Sequence, residues 1–474
     1  MDGQRSPIIF WFRRDLRLAD HPGFHEACRS GRPVLPVFIA DESVAELGAA
    51  PKWRLERGLE AFSRALEGRG SRLILRRGDA AQVLRDVLQE TGASAVWWTR
   101  LYDPGAQARD SAIKSGLKQE GYDARSFDGH LLFEPWTVRT KTGGYFKVYS
   151  AMWRAVQGLE VAAALPEPAR IATPAAWPHS ERLEGWELGA AMNRGAAVVG
   201  AHVSAGEAAA RVRLDAFIET SIDGYKAQRD YPAIDATSGM SDYLSLGEIS
   251  PRLLWLAGQR ARTEHKNGAE HFLKEVSWRE FAYHLMYHAP HMLDENWKEG
   301  WDSFPWRTDP DAPEVLAWKK GRTGIPFVDA AMRELYVTGR MHNRARMIVA
   351  SYLTKHLMTH WKIGMDWFAD TLVDWDPASN AMGWQWVAGT GPDAAPYFRV
   401  FNPELQQKKF DTDGAYVARW LAEMQADPPD TALSFFRAAP RSWGLAPDDR
   451  YPDPVMALDE GRKRALAAYQ LKGV

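Results

Sequence analysis

The chain has 474 residues, too many for one compact core, so two or three domains are expected. Its 45% hydrophobic and 25% charged residues suit a globular protein, and a formal net charge of −2 excludes a globally basic nucleic-acid binder; any DNA contact has to come from a local patch. A single cysteine, Cys28, excludes an internal disulfide framework and a cysteine-rich metal site, and no stretch reads as a signal peptide or a membrane span, so a cytoplasmic protein is expected, with no membrane partner.

In chain order, Ile8 to Phe12, Val34 to Ile39, Leu73 to Leu75 and Ala95 to Trp98 are short apolar runs bounded by polar or turn residues. Helical-period segments lie between them at Trp53 to Leu66 and Ala81 to Gln89, and Ala106 to Lys118 follows. This alternation predicts βαβ units and a Rossmann-like parallel α/β domain over residues 1–135. Arg13-Arg14-Asp15-Leu16-Arg17 stands where a G-x-G-x-x-G would follow the first strand, which argues against a dinucleotide on a glycine-rich turn. Residues 160–190, with Pro166, Pro168, Pro174 and Pro178, read as a surface connection, and 136–205 is assigned to an interdomain linker. From 206 to 474 the periodicity is almost wholly helical, at Ala208 to Ile218, Ala269 to Tyr287, Pro326 to Thr338, Ala345 to His360 and Thr412 to Gln425. The expected class is therefore α/β plus all-α.

Several motifs carry chemistry. Ala236-Thr237-Ser238-Gly239-Met240-Ser241 sets hydroxyls in a turn before a helical stretch, where exposed N–H groups suit a pyrophosphate, although the same residues cap helices generally. Glu275 and Trp278 lie one helical turn apart on one face, an acid to bond a base edge beside an indole to stack on its face; a helix pair with no ligand is the alternative. Residues 341–347 add Asn343, Arg344, Arg346 and Met347. Residues 374–403 mix acids, amides and indoles, and such groups, when buried together, need polar partners to offset desolvation. A large, flat, polar-edged ligand would supply them. The 21 Trp are unusual, and a large helical core accounts for only part of them.

The 374–403 stretch, above all Trp384-Gln385-Trp386 and Phe401-Asn402-Pro403, resembles the flavin-binding signature of the DNA photolyase and cryptochrome family. The resemblance covers essentially the whole chain and is densest between residues 225 and 406. It implies a helical FAD-binding domain with Tyr225, Thr237, Ser238, Gly239, Met240, Ser241, Phe272, Arg346, Asp374, Trp375, Asp376 and Asn380 at the cofactor. In that reading the hydroxyl segment takes the phosphates, Asp374 pairs with Arg346 to hold the ring, Asp376 bonds its edge and Asn380 faces the flavin N5. Trp306, Trp361 and Trp384 match an electron relay, and whether it branches through Trp367 or Trp375 stays open. Glu275, Trp278, Asn343, Arg344, Met347 and Trp386 match the pocket for a flipped cyclobutane pyrimidine dimer, and Arg229, Arg344, Gln406, Lys408 and Lys409 its phosphate contacts.

The implied activity is light-dependent repair of such dimers by electron transfer from reduced FAD. The enzyme would be a carbon–carbon lyase acting as a monomer on UV-damaged DNA. Asn343-Arg344 after His342 favours dimers over (6-4) photoproducts, and Asn380 together with a chain that ends soon after the signature favours repair over a cryptochrome photoreceptor. Three departures stand out: Gly239-Met240 where the family usually has Arg-Leu, Ala282 where many members place a pocket tyrosine, and Gly105-Ala106 where a folate-binding subgroup has Asn-Glu. A second, antenna chromophore therefore stays open among deazaflavin, FMN, a differently bound folate and none.

Overall fold

The computed structural model describes residues 6–393 and 398–472, so positions 394–397 of the signature stretch lie outside the described residues. Ile8–Phe12 (β1), Val34–Ala40 (β2), Ile74–Arg77 (β3), Ala95–Thr99 (β4) and Asp123–Phe127 (β5) form one parallel sheet in the order β3-β2-β1-β4-β5. β1 and β4 are buried at every position, because helices cover both faces, and this is why they read as unbroken apolar runs. β5, Asp-Ala-Arg-Ser-Phe, is an edge strand with only one fully buried position; without an apolar run, it went unpredicted.

The Pro-rich segment closes the opposite edge. Glu181 N donates to Leu75 O at 2.9 Å, Leu75 N to Ser180 Oγ at 3.0 Å, and Arg76 Nε to His179 O at 2.9 Å, so the connection covers β3 and removes an exposed strand edge. Within the expected linker, the helix Tyr149–Val156 packs into the same apolar core as the helix Ala269–His288.

Among the described residues, two large apolar cores fill most of the helical part, beside a smaller cluster at Trp301, Phe304 and Met358. One is built on the helices Pro326–Thr338, Asn343–Ser351 and Trp361–Thr371, the other on Pro251–Thr263 and Ala269–His288. The helix Pro377–Ala388 belongs to both, giving Ala378 and Ala381 to the second and Trp384, Val387 and Ala388 to the first. It stands between the cores, beside the principal cavity.

Two expected helices differ. Ala345 to His360 is not continuous: the α-helix ends at Ser351, widens into a π turn at Tyr352–His356 and breaks at Met358, whose φ is +54°. His360 then caps a new helix, Trp361–Thr371, its Nδ1 accepting from Lys362 N at 3.2 Å. Thr412 to Gln425 shrinks to Ala415–Trp420, because Gly414 adopts φ +71° and Asp411 caps the next turn by accepting from Tyr416 N and Val417 N.

The α/β and helical parts meet through a fully buried ion pair, Arg54–Glu248, and through backbone contact, Leu16 N to Leu246 O at 3.1 Å. Gly247 permits that approach: its φ is +65°, and a Cβ there would lie 2.2 Å from Arg14 O. Among the described residues, no helix is long and apolar enough to cross a membrane.

Candidate functional site

A cavity of about 1280 Å³ opens between the two helical cores. Its wall takes in Tyr225, Arg229, the 237–241 segment, Glu275, Trp278, Asn343, Arg346, Met347, Asp374, Trp375, Asp376, Asn380, Trp384 and Trp386. The fold thus brings together residues more than 150 positions apart.

At one end, Arg213 clasps the 237–241 segment, its Nε donating to Ser238 O at 2.9 Å and its Nη2 to Thr237 O at 2.6 Å. Gly239 sits at φ +64° in that turn. Arg213 and Arg340 also line this end, each paired with an acid of the same wall, Arg213 with Asp235 at 2.7 Å and Arg340 with Asp242, where the family usually places an arginine within the segment itself. The following helix, Ser241–Ser245, is one short turn whose first residues have no side-chain cap.

Mid-cavity, Arg346 Nη2 lies 2.7 Å from Asp374 Oδ2, and Arg346 Nε donates to Met341 O at 2.8 Å. The other carboxylate oxygen, Asp374 Oδ1, is buried with no partner, as is Trp384 Nε1. An orphaned acceptor on a nearly buried acid is costly unless a ligand N–H meets it. Asn380 Nδ2 donates to Met365 O at 3.0 Å, which fixes the amide on the same wall. The cavity's size, its unpartnered acceptor, this amide and the hydroxyl-bearing turn at the far end fit FAD.

Asp376 corrects an expectation. It was to bond the flavin edge, but both its oxygens have protein partners: Oδ1 caps the helix Pro377–Ala388 by accepting from Ser379 N at 2.9 Å, and Oδ2 accepts from Tyr283 and from Arg14 Nη2 at 3.1 Å. Burial opposes its charge, yet Arg14, Arg279 and the Tyr283 hydroxyl outweigh burial and hold its pKa below the ordinary range. Arg14 was missed as a site residue, although the Arg13 to Arg17 run had been noted; it reaches in from the α/β part and also donates to Ser245 O at 2.8 Å. Phe272 is a second correction. It lies in the core behind Tyr225, 1% exposed and 5.0 Å from the Phe217 ring, so it stands outside the cavity wall.

At the other end, Glu275 is paired with Arg229, whose guanidinium also lies 5.3 Å from the Tyr225 ring. Trp278 stacks on Tyr149 with centroids 3.7 Å apart and planes within 7°. Tyr149 was unread because it falls in the segment taken for a linker, although Tyr145-Phe146-Lys147-Val148-Tyr149 is too aromatic for one. Trp386 is held by its Nε1 donating to Asp393 O at 3.1 Å. Ala282 is wholly buried, and Tyr283 turns away from the pocket to His130 and Asp376. Arg344 bridges to Asp230 at 2.8 Å and covers Phe410 at 4.4 Å, beside the cavity rather than in its wall; Gln406, on the helix Pro403–Phe410, is also outside it.

His342 stands at a helix start with only one ring nitrogen partnered. Its Nδ1 caps the helix Asn343–Ser351 by accepting from Arg344 N at 3.1 Å, but Nε2 is buried without a partner. Burial pushes its pKa down to about 4, so the ring is neutral near pH 7. Behind it, Glu334 accepts from Tyr416 Oη at 2.5 Å, and burial pushes its carboxyl up to about 7.

The three candidate relay indoles run from cavity to surface. Trp384 is in the wall and 2% exposed, Trp361 is fully buried behind it, and Trp306 is half-buried. Gly364, one turn along the helix from Trp361, makes room for Trp384: a Cβ there would lie 2.0 Å from the indole. His360 bridges outward, its ring 5.4 Å from Trp361 and 5.6 Å from Trp306. Of the branch candidates, Trp367 stacks on Tyr336 at 6.3 Å and Trp443 at 6.5 Å.

Residues 8–169 match the family described as DNA photolyase, and residues 272–471 the FAD binding domain of DNA photolyase. A deoxyribodipyrimidine photo-lyase of Agrobacterium fabrum is 45% identical, with 99% of this chain and 98% of the relative covered. The crystal structure of a bacterial class III photolyase from Agrobacterium tumefaciens superposes with a TM-score of 0.92 at 44% identity, over 100% of this chain and 98% of its own. An archaeal photolyase from Sulfolobus tokodaii, solved with two FAD molecules, superposes with a TM-score of 0.79 at 27% identity, over 98% of this chain and 100% of its own.

Proposed function

The chain belongs to the DNA photolyase family, and from that membership and the cavity we infer light-dependent repair of cyclobutane pyrimidine dimers in UV-damaged DNA, the reaction of a deoxyribodipyrimidine photo-lyase. The observation that carries the reading is the buried, unpartnered Asp374 Oδ1 in the same cavity as Glu275, Trp278 and Trp386. Bound FAD supplies the absorption of light and the electron.

The chain's own groups bind, orient and shield. Arg346 and Asp374 would hold the flavin ring, Asp374 Oδ1 being free to accept from a ring N–H, and Asn380 would line the wall beside it. Tyr225, Thr237, Ser238, Gly239, Met240 and Ser241 line the phosphate end, with Arg213 bracing them from behind. Asp376 and Trp375 shape the wall and do not need to bond the ligand.

Trp278, kept flat by Tyr149, and Trp386 offer indole faces to the extruded dimer, and stacking of about 1 to 3 kcal/mol per base offsets the cost of unstacking. Glu275 accepts from a base N–H while Arg229 offsets its charge, so the acid does not repel an electron arriving on the dimer. Asn343 and Met347 complete the pocket. Arg344, Gln406, Lys408 and Lys409 meet phosphates, which position the strand without selecting sequence. Within the dimer, one added electron lets the two bonds joining the rings break, and the electron is then released. Proton donation from His342, the step a (6-4) reading would use, is disfavoured by a ring that stays neutral down to about pH 4.

Trp384, Trp361 and Trp306 would offer a path for electrons from the surface to a bound, oxidised cofactor. Domains at 1–135 and 206–474, joined through 136–205, are consistent with this division. The reading takes the protein as a monomer in the cytoplasm, a compartment that the single cysteine suits. The test of the lesion pocket is Trp278→Ala. Affinity for dimer-containing DNA is expected to fall by roughly tenfold or more, one lost stacking contact, with FAD content unchanged; undiminished dimer affinity would remove Trp278 from the pocket.

A further inference from the structure

Among the described residues, only one relay indole has an acceptor for its N–H. Trp361 Nε1 donates to Asn296 Oδ1 at 2.8 Å, whereas Trp384 Nε1 and Trp306 Nε1 are buried without partners. Asn296 Nδ2 in turn donates to Asp302 Oδ1 at 2.7 Å. The orientation of the amide follows from its neighbours: an indole N–H only donates and an ionised carboxylate only accepts, so the oxygen faces Trp361 and the nitrogen faces Asp302.

The loop that carries Asn296 is braced by Gln385, the residue between Trp384 and Trp386. Its Nε2 donates to Met292 O at 2.7 Å and Glu295 O at 2.9 Å, and its Oε1 accepts from Trp297 N at 2.9 Å. Asn296 and Asp302 also face a second, polar cavity of about 640 Å³, shared with His360 and Lys362. His360, in ring contact with both Trp361 and Trp306, has its pKa lowered by burial, so no imidazolium opposes positive charge there.

Resting on the relay reading above, we propose that Asn296, backed by Asp302, favours positive charge on Trp361 over Trp384 and so draws it one step outward along the relay. One electron passes from Trp361 to oxidised Trp384; Trp384 is restored, Trp361 becomes a radical cation, and no bond forms or breaks. The amide oxygen and the carboxylate behind it stabilise that cation, since hydrogen bonds to charged groups are the strong ones. An amide is too weak a base to take the indole proton. The charge therefore stays mobile, Trp306 gives one electron to Trp361, and an external thiol restores Trp306. Asn296 and Asp302 are positioning residues, acting through Trp361.

The test is flash absorption spectroscopy on the FAD-loaded, oxidised protein, reading the tryptophan radical cation and the deprotonated tryptophan radical separately. Asn296→Leu is expected to shift the sharing of charge from Trp361 toward Trp384 by roughly tenfold, the worth of one hydrogen bond to a charged group. The double variant Asn296→Asp with Asp302→Asn exchanges amide and carboxylate at constant charge, and should trap a deprotonated radical at Trp361. Wild-type kinetics in Asn296→Leu, or no trapped radical in the double variant, would overturn the proposal. Trp361→Phe separates the two levels. If it leaves photoreduction at the wild-type rate, the relay reading fails and this proposal with it; if it slows photoreduction while Asn296→Leu does not, the proposal alone fails.

Discussion

Asp374 and Asp376 are the same acid two positions apart, and packing gives them different work. Asp376 begins a helix and accepts from Ser379, Tyr283 and Arg14, whereas Asp374 spends one oxygen on Arg346 and leaves the other facing the cavity without a partner. Asp374→Ala should therefore cost FAD affinity by roughly tenfold or more, because it removes the charged acceptor for a ring N–H; flavin absorbance per protein after dialysis measures it. The sequence showed acids and an amide at ligand-like spacing, but not which acid was free, because Tyr283 and Arg14 arrive from distant segments. His342 yields a pH prediction. Burial holds its pKa at about 4 against an ordinary 6.5, so both folded and unfolded states are neutral above 6.5. As pH falls through that window, the unfolded chain binds a proton that the folded one does not, and stability declines. His342→Asn keeps a capping side chain, so its melting temperature should drop less than the wild type's between about pH 7 and about pH 5; an equal drop would mean that His342 does not titrate this way.

Among the elements, the helix Pro377–Ala388 matters most, because it belongs to both cores and puts Trp384 against the helix Trp361–Thr371. That contact depends on Gly364. Gly364→Ala would set a methyl 2.0 Å from the Trp384 ring, so the indole has to move. Overpacking of this kind costs about 1 to 3 kcal/mol, which a thermal melt reads as a lower midpoint, and photoreduction of oxidised FAD should slow with it. Neither Gly364 nor His360 was legible in sequence. The 345–360 stretch reads as one amphipathic helix, and a π turn followed by a left-handed residue at Met358 leaves little mark on periodicity. The buried strands were legible because both faces are apolar; β5 was not, because an edge strand needs no such run. Tyr149 was lost for a related reason, a short helix hidden beside a Pro-rich connection.

At the scale of the molecule, function depends on the α/β and helical parts staying together. The buried Arg54–Glu248 pair and the close approach at Gly247 fix the α/β part so that Arg14 reaches Asp376, and Asp376 in turn starts the helix that carries Trp384 and Trp386. The two-part architecture could be read from periodicity alone, yet this coupling could not, since Arg14 and Asp376 lie 362 positions apart. Trp384 and Trp386, separated only by Gln385, both line the cavity from this one helix, and the proposed function gives one to the electron relay and the other to the lesion pocket. The most direct measurement is to reduce the FAD-loaded protein and illuminate it with DNA containing cyclobutane dimers and, separately, with DNA containing (6-4) photoproducts. The dimers should revert to intact pyrimidines in the light and persist in the dark, while the (6-4) products remain. Dimers that survive illumination of the reduced, FAD-loaded protein would contradict the assignment.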